Sequence, residues 1–281
     1  MRILVTGGDG MLGESLNRVF ITDKLHITDI EELDVRYWDN VMLYYSPQKY
    51  DYIFHFAAET NLERCEKDPA HAYFANDTGT KNMTLLAEKL RIPIVYISTM
   101  NVFNGKSPKG YNEWDTPNPI NHYGRSKLYG EITVRRYAQH YIFRAGAMFG
   151  GGKRDHKFVG QVYNKMCDTI DPIKIIAGNR VSLTYTEDLI RHIKAVIKTG
   201  EYGVYHAINA GQASRYTIAK QIKKSMESEN YIQKVPPEFF SNDYPCTRPK
   251  HQILNARKFL RPWDIALEEY IKGRIRDDSR S

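Results

Sequence analysis

The sequence has little cysteine: Cys65, Cys167 and Cys246 are its only three, odd in number and widely spaced. That spacing fits neither a disulfide framework nor a zinc site. The reading is three buried or inert thiols, a reducing cytoplasm and no bound metal. Long apolar runs are also missing. None approaches the ~18–20 residues of a transmembrane helix, so no membrane partner is expected. Met1 leads straight into the apolar run Ile3-Leu4-Val5, which leaves no room for a signal peptide. Internal repeats and low-complexity tracts are absent. So is a concentrated basic patch, although 40 Lys and Arg against 33 Asp and Glu give a net charge of +7 and a pI near 9.1. The nearest candidate, Lys153-Arg154-Asp155-His156-Lys157, contains an acid, follows glycines and reads as a loop. Dispersed positive charge suits a small anionic ligand such as a nucleotide and argues against nucleic acid.

What is present is an ordinary globular composition, 42% hydrophobic and 26% charged over 281 residues, enough for one large domain or two intimate ones. The most informative stretch is Thr6-Gly7-Gly8-Asp9-Gly10-Met11-Leu12-Gly13. A buried strand at Ile3–Val5 precedes it, and Leu16, Val19 and Phe20 follow with helical spacing. The glycines therefore sit at a strand-to-helix turn. Gly7 lets the chain reverse, Gly10 lets the backbone approach a pyrophosphate at the helix N-terminus, and Gly13 lets the helix lie close on the sheet. Met11 and Leu12 belong to the same cofactor loop. The spacing is Gly-x-x-Gly-x-x-Gly rather than the common Gly-x-Gly-x-x-Gly. A second strand, Leu25–Asp29, ends in an acid about twenty residues on, where a carboxylate can hold a ribose 2′-hydroxyl and repel a 2′-phosphate. Asp29 thus favours NAD(H) over NADP(H); the plain alternative is a solvated strand-end acid.

Strand and helix patterns then alternate, as in a parallel α/β sheet. Strands are expected at Tyr52–Ala57, Ile94–Ser98 and Tyr141–Ala145, with helices from about Ala70 to Leu90 and from His122 to about Gln139. Gly150-Gly151-Gly152 marks a boundary. Beyond it come a helix near Phe158–Cys167, a strand at Ile173–Ala177, a helix at Glu187–Lys198 and a strand at Val204–Asn209. Pro236, Pro237, Pro245, Pro249 and Pro262 imply loops with short helices towards the end, and Arg274–Ser281 reads as a frayed polar tail. The fold class is α/β, a doubly wound parallel sheet of Rossmann type. Residues 1–150 form the dinucleotide domain, and residues 151–281 form a smaller, interleaved part that mainly holds substrate.

Tyr123 and Lys127 lie four residues apart and share a helix face. A lysine ammonium there would lower the phenol's pKa from about 10, so that the tyrosine could give a proton to a carbonyl oxygen as hydride arrives at carbon. Ser98-Thr99 ends the fourth strand, at the sheet edge where such folds bind ligands, and a hydroxyl there can hydrogen-bond the same carbonyl.

Glycine loop, strand-end hydroxyl and Tyr-x-x-x-Lys occur in the order found in extended short-chain dehydrogenases/reductases, and within them the chain most resembles the dTDP-4-dehydrorhamnose reductases over nearly its whole length. The resemblance rests on Ala57-Ala58-Glu59-Thr60 with Glu63, Cys65-Glu66 and Pro69; on Asn76 with Gly79-Thr80-Lys81-Asn82; and on Ile97-Ser98-Thr99-Met100-Asn101-Val102-Phe103. It continues through Pro117-x-Pro119-x-Asn121-x-Tyr123-Gly124, Thr184-Tyr185-Thr186-x-Asp188-Leu189, and Arg248-Pro249 before Leu254. It implies Thr99, Tyr123 and Lys127 as the catalytic set: Tyr123 the acid, Thr99 orienting the carbonyl, Lys127 tuning Tyr123 and holding a ribose hydroxyl. It places Asp34 and Val35 beside the adenine, Ala57, Ala58 and Ser98 along the cofactor, and Asn76 in the wall behind it. Asn101 falls on the substrate side, and Arg180 and Arg248 are candidates for the sugar-nucleotide diphosphate; each arginine reads equally as a solvated surface charge. His55 and Tyr96 read as packing. The implied reaction is NAD(P)H-dependent reduction of the C4 ketone of a nucleotide-activated 4-keto-6-deoxysugar in deoxysugar and polysaccharide biosynthesis, with NAD(H) favoured, NADP(H) also accepted in the family, and a homodimer as the assembly.

Three departures fall where the family meets its sugar. Met100 and Asn101 replace the usual acid and tyrosine. Gly178-Asn179-Arg180-Val181-Ser182-Leu183 stands where Asp-Gln-x-Gly-x-Pro is usual, and His156 replaces an asparagine. Met100-Asn101 cannot supply the Asp-Glu pair of a 4,6-dehydratase, and no cysteine near position 100 serves a GDP-fucose-synthase type of epimerase/reductase. A 4-epimerase of the UDP-galactose kind is usually longer. A different class stays open: a non-catalytic dinucleotide-binding regulatory subunit like the β-subunit of methionine adenosyltransferase, which resembles the same reductases.

Overall fold

The computed structural model describes residues 1–240 and 246–279. Pro245 and the last two residues of the expected frayed tail, Arg280 and Ser281, lie outside the described residues. Six strands form the central sheet: β1 (Arg2–Thr6), β2 (Lys24–Thr28), β3 (Tyr52–His55), β4 (Ile94–Thr99), β5 (His140–Ala145) and β6 (Gly203–Ala207). Their order is β6-β5-β4-β3-β1-β2, and every pair is parallel. The four inner strands β1, β3, β4 and β5 are buried on both faces, β4 at every position, which is why they read as continuous apolar runs.

The helices in chain order are α1 (Met11–Val19), α2 (Trp38–Met42), α3 (Leu62–Lys67), α4 (Pro69–Tyr73), α5 (Gly79–Leu90), α6 (His122–Arg135), α7 (Phe158–Asp168), α8 (Thr186–Ile197), α9 (Arg215–Met226) and α10 (Trp263–Asp278). On one face of the sheet, Ile3, Val5 and Phe143 pack with Leu16 of α1 and Leu189 and Ile193 of α8. On the other, Leu4, Ile53 and Tyr96 pack with Met83 and Leu86 of α5 and Val134 of α6. The chain order reverses between β1 and β3, and the carboxyl ends of those strands flank the crevice where doubly wound sheets hold ligands. A second core lies among α7, α9, α10 and several short strands, built from Val159, Val162, Ile218, Ile222, Leu267 and Ile271.

The expected Ala70–Leu90 helix is α4 and α5 joined through a π-helical turn at Phe74–Thr78. α9 was not expected. The carboxyl-terminal reading needs a larger correction. Pro262 does not break structure there: it is the N-cap of the 16-residue helix α10, a place where a missing backbone N–H costs little. Nor is Arg274 in a frayed tail. It is 6% exposed, its Nη2 donates to Asn164 Oδ1 at 2.6 Å, and its guanidinium lies 4.3 Å from the centroid of the Tyr163 ring. Among the described residues no helix is long and apolar enough to cross a membrane. Cys65 and Cys246 are buried, but Cys167 is exposed.

Candidate active site

The glycine turn joins β1 to α1. Gly7 has φ +68°, and a Cβ there would lie 2.6 Å from the Ala57 backbone nitrogen, so a glycine is needed both for the turn and for the close approach. The expected role of Gly13 is corrected. A Cβ on it would fall 1.7 Å from the Gly8 carbonyl oxygen, so Gly13 closes the loop on itself rather than lowering α1 onto the sheet. Contact with the sheet falls to Gly8, where a Cβ would meet Ile27 Cγ2 of β2 at 2.0 Å. Gly10 is the N-cap of α1, and no side chain caps that helix, so its first N–H groups are left for a ligand. Leu12 points its side chain into the core and can serve a ligand only through its backbone; Met11 beside it is half-buried.

Other groups along the crevice fit a dinucleotide. Asp29 is half-buried just past β2 and accepts the Ile30 N–H at 2.7 Å. Ala57 and Ala58 are half-buried just past β3. At the end of β4 the Ser98 hydroxyl is buried without a hydrogen-bond partner among the described residues, a cost that a bound polar group would relieve. Two expectations change. The Asp34 carboxylate is taken by Arg36, whose Nε donates to it at 2.8 Å, and that pairing holds the carboxyl below its ordinary range. Val35 is buried against Gly79.

Thr99 ends β4 in extended conformation and caps a short 3-10 turn at Met100–Val102. α6 starts at the Asn121 cap, whose Oδ1 accepts the Gly124 N–H at 2.8 Å. A Cβ on Gly124 would sit 2.0 Å from the Asn101 carbonyl oxygen, so the glycine lets α6 press against the turn after Thr99. This contact brings Tyr123 towards Thr99, whose hydroxyl acts to lower the phenol's pKa. Lys127 follows one turn along and is buried.

The electrostatics differ from expectation. Burial pushes the Tyr123 phenol up to about 12; the Thr99 hydroxyl opposes this, while Cys65 and Glu59 add to it. Lys127 does not bring the phenol down. Burial takes its own ammonium down to about 7, against the pull of Glu131 one turn further along. Its Nζ rests over the Tyr96 ring. At neutral pH the phenol is therefore protonated, the state a proton donor needs.

Asn76, expected in the wall behind the cofactor, has all its amide groups committed within the protein. It is fully buried in the π-helical turn. Its Nδ2 donates to the Glu59 carbonyl and to Ser126 Oγ, both at 3.0 Å, and its Oδ1 accepts the Glu59 N–H at 2.9 Å. Ser126 in turn donates to the Tyr123 carbonyl at 2.9 Å. Asn76 thus ties the segment after β3 to the turn of α6 that carries Tyr123.

The expected sugar-side residues divide. Asn101 is buried with its amide committed to Thr99 and Gln252, so it is not a free substrate ligand. Arg248 is paired with Glu63 and donates to the Cys246 carbonyl at 2.8 Å. Arg180 is exposed. His156 is exposed too, whereas Asp155 in the same loop is buried and accepts from the Tyr270 hydroxyl at 3.1 Å, with its carboxyl raised by burial. Gly8, Tyr96 and Gln252 were missed. Gly8 was legible beside Gly7; Gln252 lies too far along the chain from Asn101 to leave a local signal.

Proteins that combine this strand order with a Tyr-x-x-x-Lys helix packed beside the end of the fourth strand are extended short-chain dehydrogenases/reductases, and this chain is of that class. A family model described as the RmlD substrate binding domain matches residues 1–274, and the chain belongs to that family. It is 31% identical to the spore coat polysaccharide biosynthesis protein SpsK of Bacillus subtilis (strain 168), covering 97% of this chain and 98% of that one. It is 27% identical to a dTDP-4-dehydrorhamnose reductase of Aggregatibacter actinomycetemcomitans, covering 94% of each. Among solved structures, the dTDP-4-dehydrorhamnose reductase of Bacillus anthracis str. Ames, in complex with NADP, superposes with a TM-score of 0.91 at 29% identity, covering 97% of this chain and 99% of that one.

Proposed function

We propose that this protein reduces the C4 ketone of a nucleotide-activated 4-keto-6-deoxysugar with NAD(P)H, in the manner its reductase relatives are named for. The observation that carries the reading is the close packing of α6, through Gly124, on the turn after Thr99, which sets buried Tyr123 beside the end of β4 with Lys127 one turn along the same helix. Bound cofactor supplies a hydride to the carbonyl carbon. Tyr123 gives its proton to the carbonyl oxygen, so the product is the alcohol, and the phenolate is reprotonated from solvent. Thr99 holds the carbonyl in place, and Lys127 binds a ribose hydroxyl. Gly7, Gly10 and the open N-terminus of α1 take the pyrophosphate. Residues 1–150 carry the cofactor and residues 151–281 mainly the sugar nucleotide, interleaved because β6 returns to the first sheet. Asp29 at the end of β2 favours NADH.

The test is a panel of nucleoside-diphosphate 4-keto-6-deoxyhexoses with NADH and with NADPH, read as loss of reduced-nicotinamide absorbance and by product NMR at C4. Turnover of at least one ketosugar is expected. A protein that binds the cofactor and turns over none is a dinucleotide-binding regulatory subunit instead.

A further inference from the structure

A threonine hydroxyl has one proton and two acceptor lone pairs. In Thr99 both acceptor sites are used. The Asn101 backbone N–H and the Asn101 Nδ2 each donate to Thr99 Oγ1 at 3.2 Å. The single proton must therefore leave away from Asn101, and Tyr123, carried by the helix that Gly124 presses against the turn after Thr99, lies beside that hydroxyl. The Asn101 amide is itself oriented from behind: its Oδ1 accepts from Gln252 Nε2 at 3.2 Å, which turns its NH2 end to Thr99. Gln252 is anchored through its backbone, donating to the Arg180 carbonyl at 3.3 Å and accepting the Ser182 N–H at 2.9 Å. Thr99 and Asn101 are buried and Gln252 is half-buried.

We propose that Gln252 and Asn101 are positioning residues that impose one direction on a hydrogen-bond chain, Gln252 to Asn101 to Thr99 to Tyr123. Each member donates to the next. Tyr123 accepts from Thr99, so its own proton is left for the substrate oxygen. Whether Thr99 serves the phenol or the carbonyl, it is a donor and cannot compete for the Tyr123 proton. The inference rests on Tyr123 being the proton donor.

Asn101→Asp is the sharpest test. The carboxylate still accepts from Gln252 but now also accepts the Thr99 proton. Thr99 would then accept from Tyr123 and turn its proton away from substrate. The expected result is a fall in kcat of ~10²-fold, the scale of a lost general acid, with KM and cofactor affinity within about twofold. Gln252→Glu should act in the same direction and less strongly, by turning the Asn101 amide around, and it carries the kinetic test if Asn101→Asp does not fold. On a Thr99→Val background Asn101→Asp should cost nothing more, since the hydroxyl it acts through is gone. An Asn101→Asp enzyme with wild-type kcat, or an equal loss on both backgrounds, overturns the chain. Neutron diffraction of deuterated wild-type protein decides it without turnover. A deuteron on Thr99 Oγ1 directed at Tyr123 is expected, and one directed at Asn101 overturns the proposal. A wild type that turns over no ketosugar defeats the reductase reading instead and leaves the neutron result to decide the chain.

Discussion

The Lys127 ammonium lies 4.1 Å from the centroid of the Tyr96 ring. Tyr96 is held from behind. His55 stacks on it at 5.8 Å between centroids, and the Tyr96 hydroxyl donates to the Lys127 carbonyl at 3.3 Å. Thr6, His55 and Tyr96 occupy matching positions on β1, β3 and β4. The His55 imidazole bridges the Thr6 and Thr80 hydroxyls at 2.8 and 3.1 Å, and burial takes its pKa down to about 3. A neutral ring therefore backs an aromatic platform on which a buried cation sits, an attraction worth about 2 kcal/mol when desolvated.

That platform predicts a pH dependence. Burial lowers Lys127 to about 7, so its ammonium is present below that pH and lost as pH rises through it. Cofactor affinity contributed by Lys127 should fall over the same interval. Tyr96→Leu should move the fall to lower pH by about one unit, since one unit is 1.36 kcal/mol. Tyr96→Phe keeps the ring and should leave the midpoint in place. NADH binding followed by fluorescence against pH tests this, and equal midpoints in wild type and Tyr96→Leu would show that the ring does not hold the ammonium.

A second prediction separates the roles of the three central residues. Tyr123→Phe should bind cofactor nearly normally and lose ~10²–10⁴-fold in rate, about 3–5 kcal/mol of barrier. Thr99→Val should lose mainly rate. Lys127→Met should lose both rate and cofactor affinity. Single-turnover hydride transfer and equilibrium binding measure the two separately; a Tyr123→Phe enzyme that keeps most of its rate would assign the proton to another group.

Cofactor choice turns on Asp29. Asp29→Ala should weaken NADH and relieve NADPH of a repulsion, so the ratio of the two dissociation constants should shift towards NADPH by about tenfold, the effect of ~1.4 kcal/mol. Parallel titrations with both cofactors give the ratio. If it is unchanged, Asp29 does not contact the 2′ position.

Two glycines should respond in opposite ways to alanine. Gly13→Ala drives a methyl group into the Gly8 carbonyl at 1.7 Å and should cost at least the ~1–3 kcal/mol of an overpacked site, lowering Tm by several degrees and weakening cofactor binding. Gly273 lies in α10, where a Cβ would approach only Arg276 Nη2, at 3.9 Å. Gly273→Ala should gain up to ~1 kcal/mol of helix propensity and raise Tm. Thermal unfolding of both variants tests the pair, and a neutral Gly13→Ala would mean that the loop can give way.

The sequence by itself determined the sheet, the glycine turn and the Tyr-x-x-x-Lys helix, because each is written in local signals. These are apolar runs of strand length, glycines where a strand hands over to a helix, and two side chains four residues apart. It read prolines as breaks, and so missed that Pro262 starts α10; a proline's meaning depends on whether its N–H would have been used. Only the tertiary structure decided the electrostatics and the partners. Tyr123 and Lys127 share a helix face as expected, yet burial rather than their mutual charge sets both pKa values. Asp34, Asn101 and Arg248 carry residue types suited to a ligand, but folding commits their polar groups to Arg36, to Thr99 and Gln252, and to Glu63. Those commitments join positions distant in the chain, Gln252 to Asn101 above all, and a pairing made by chain closure leaves no mark on local spacing.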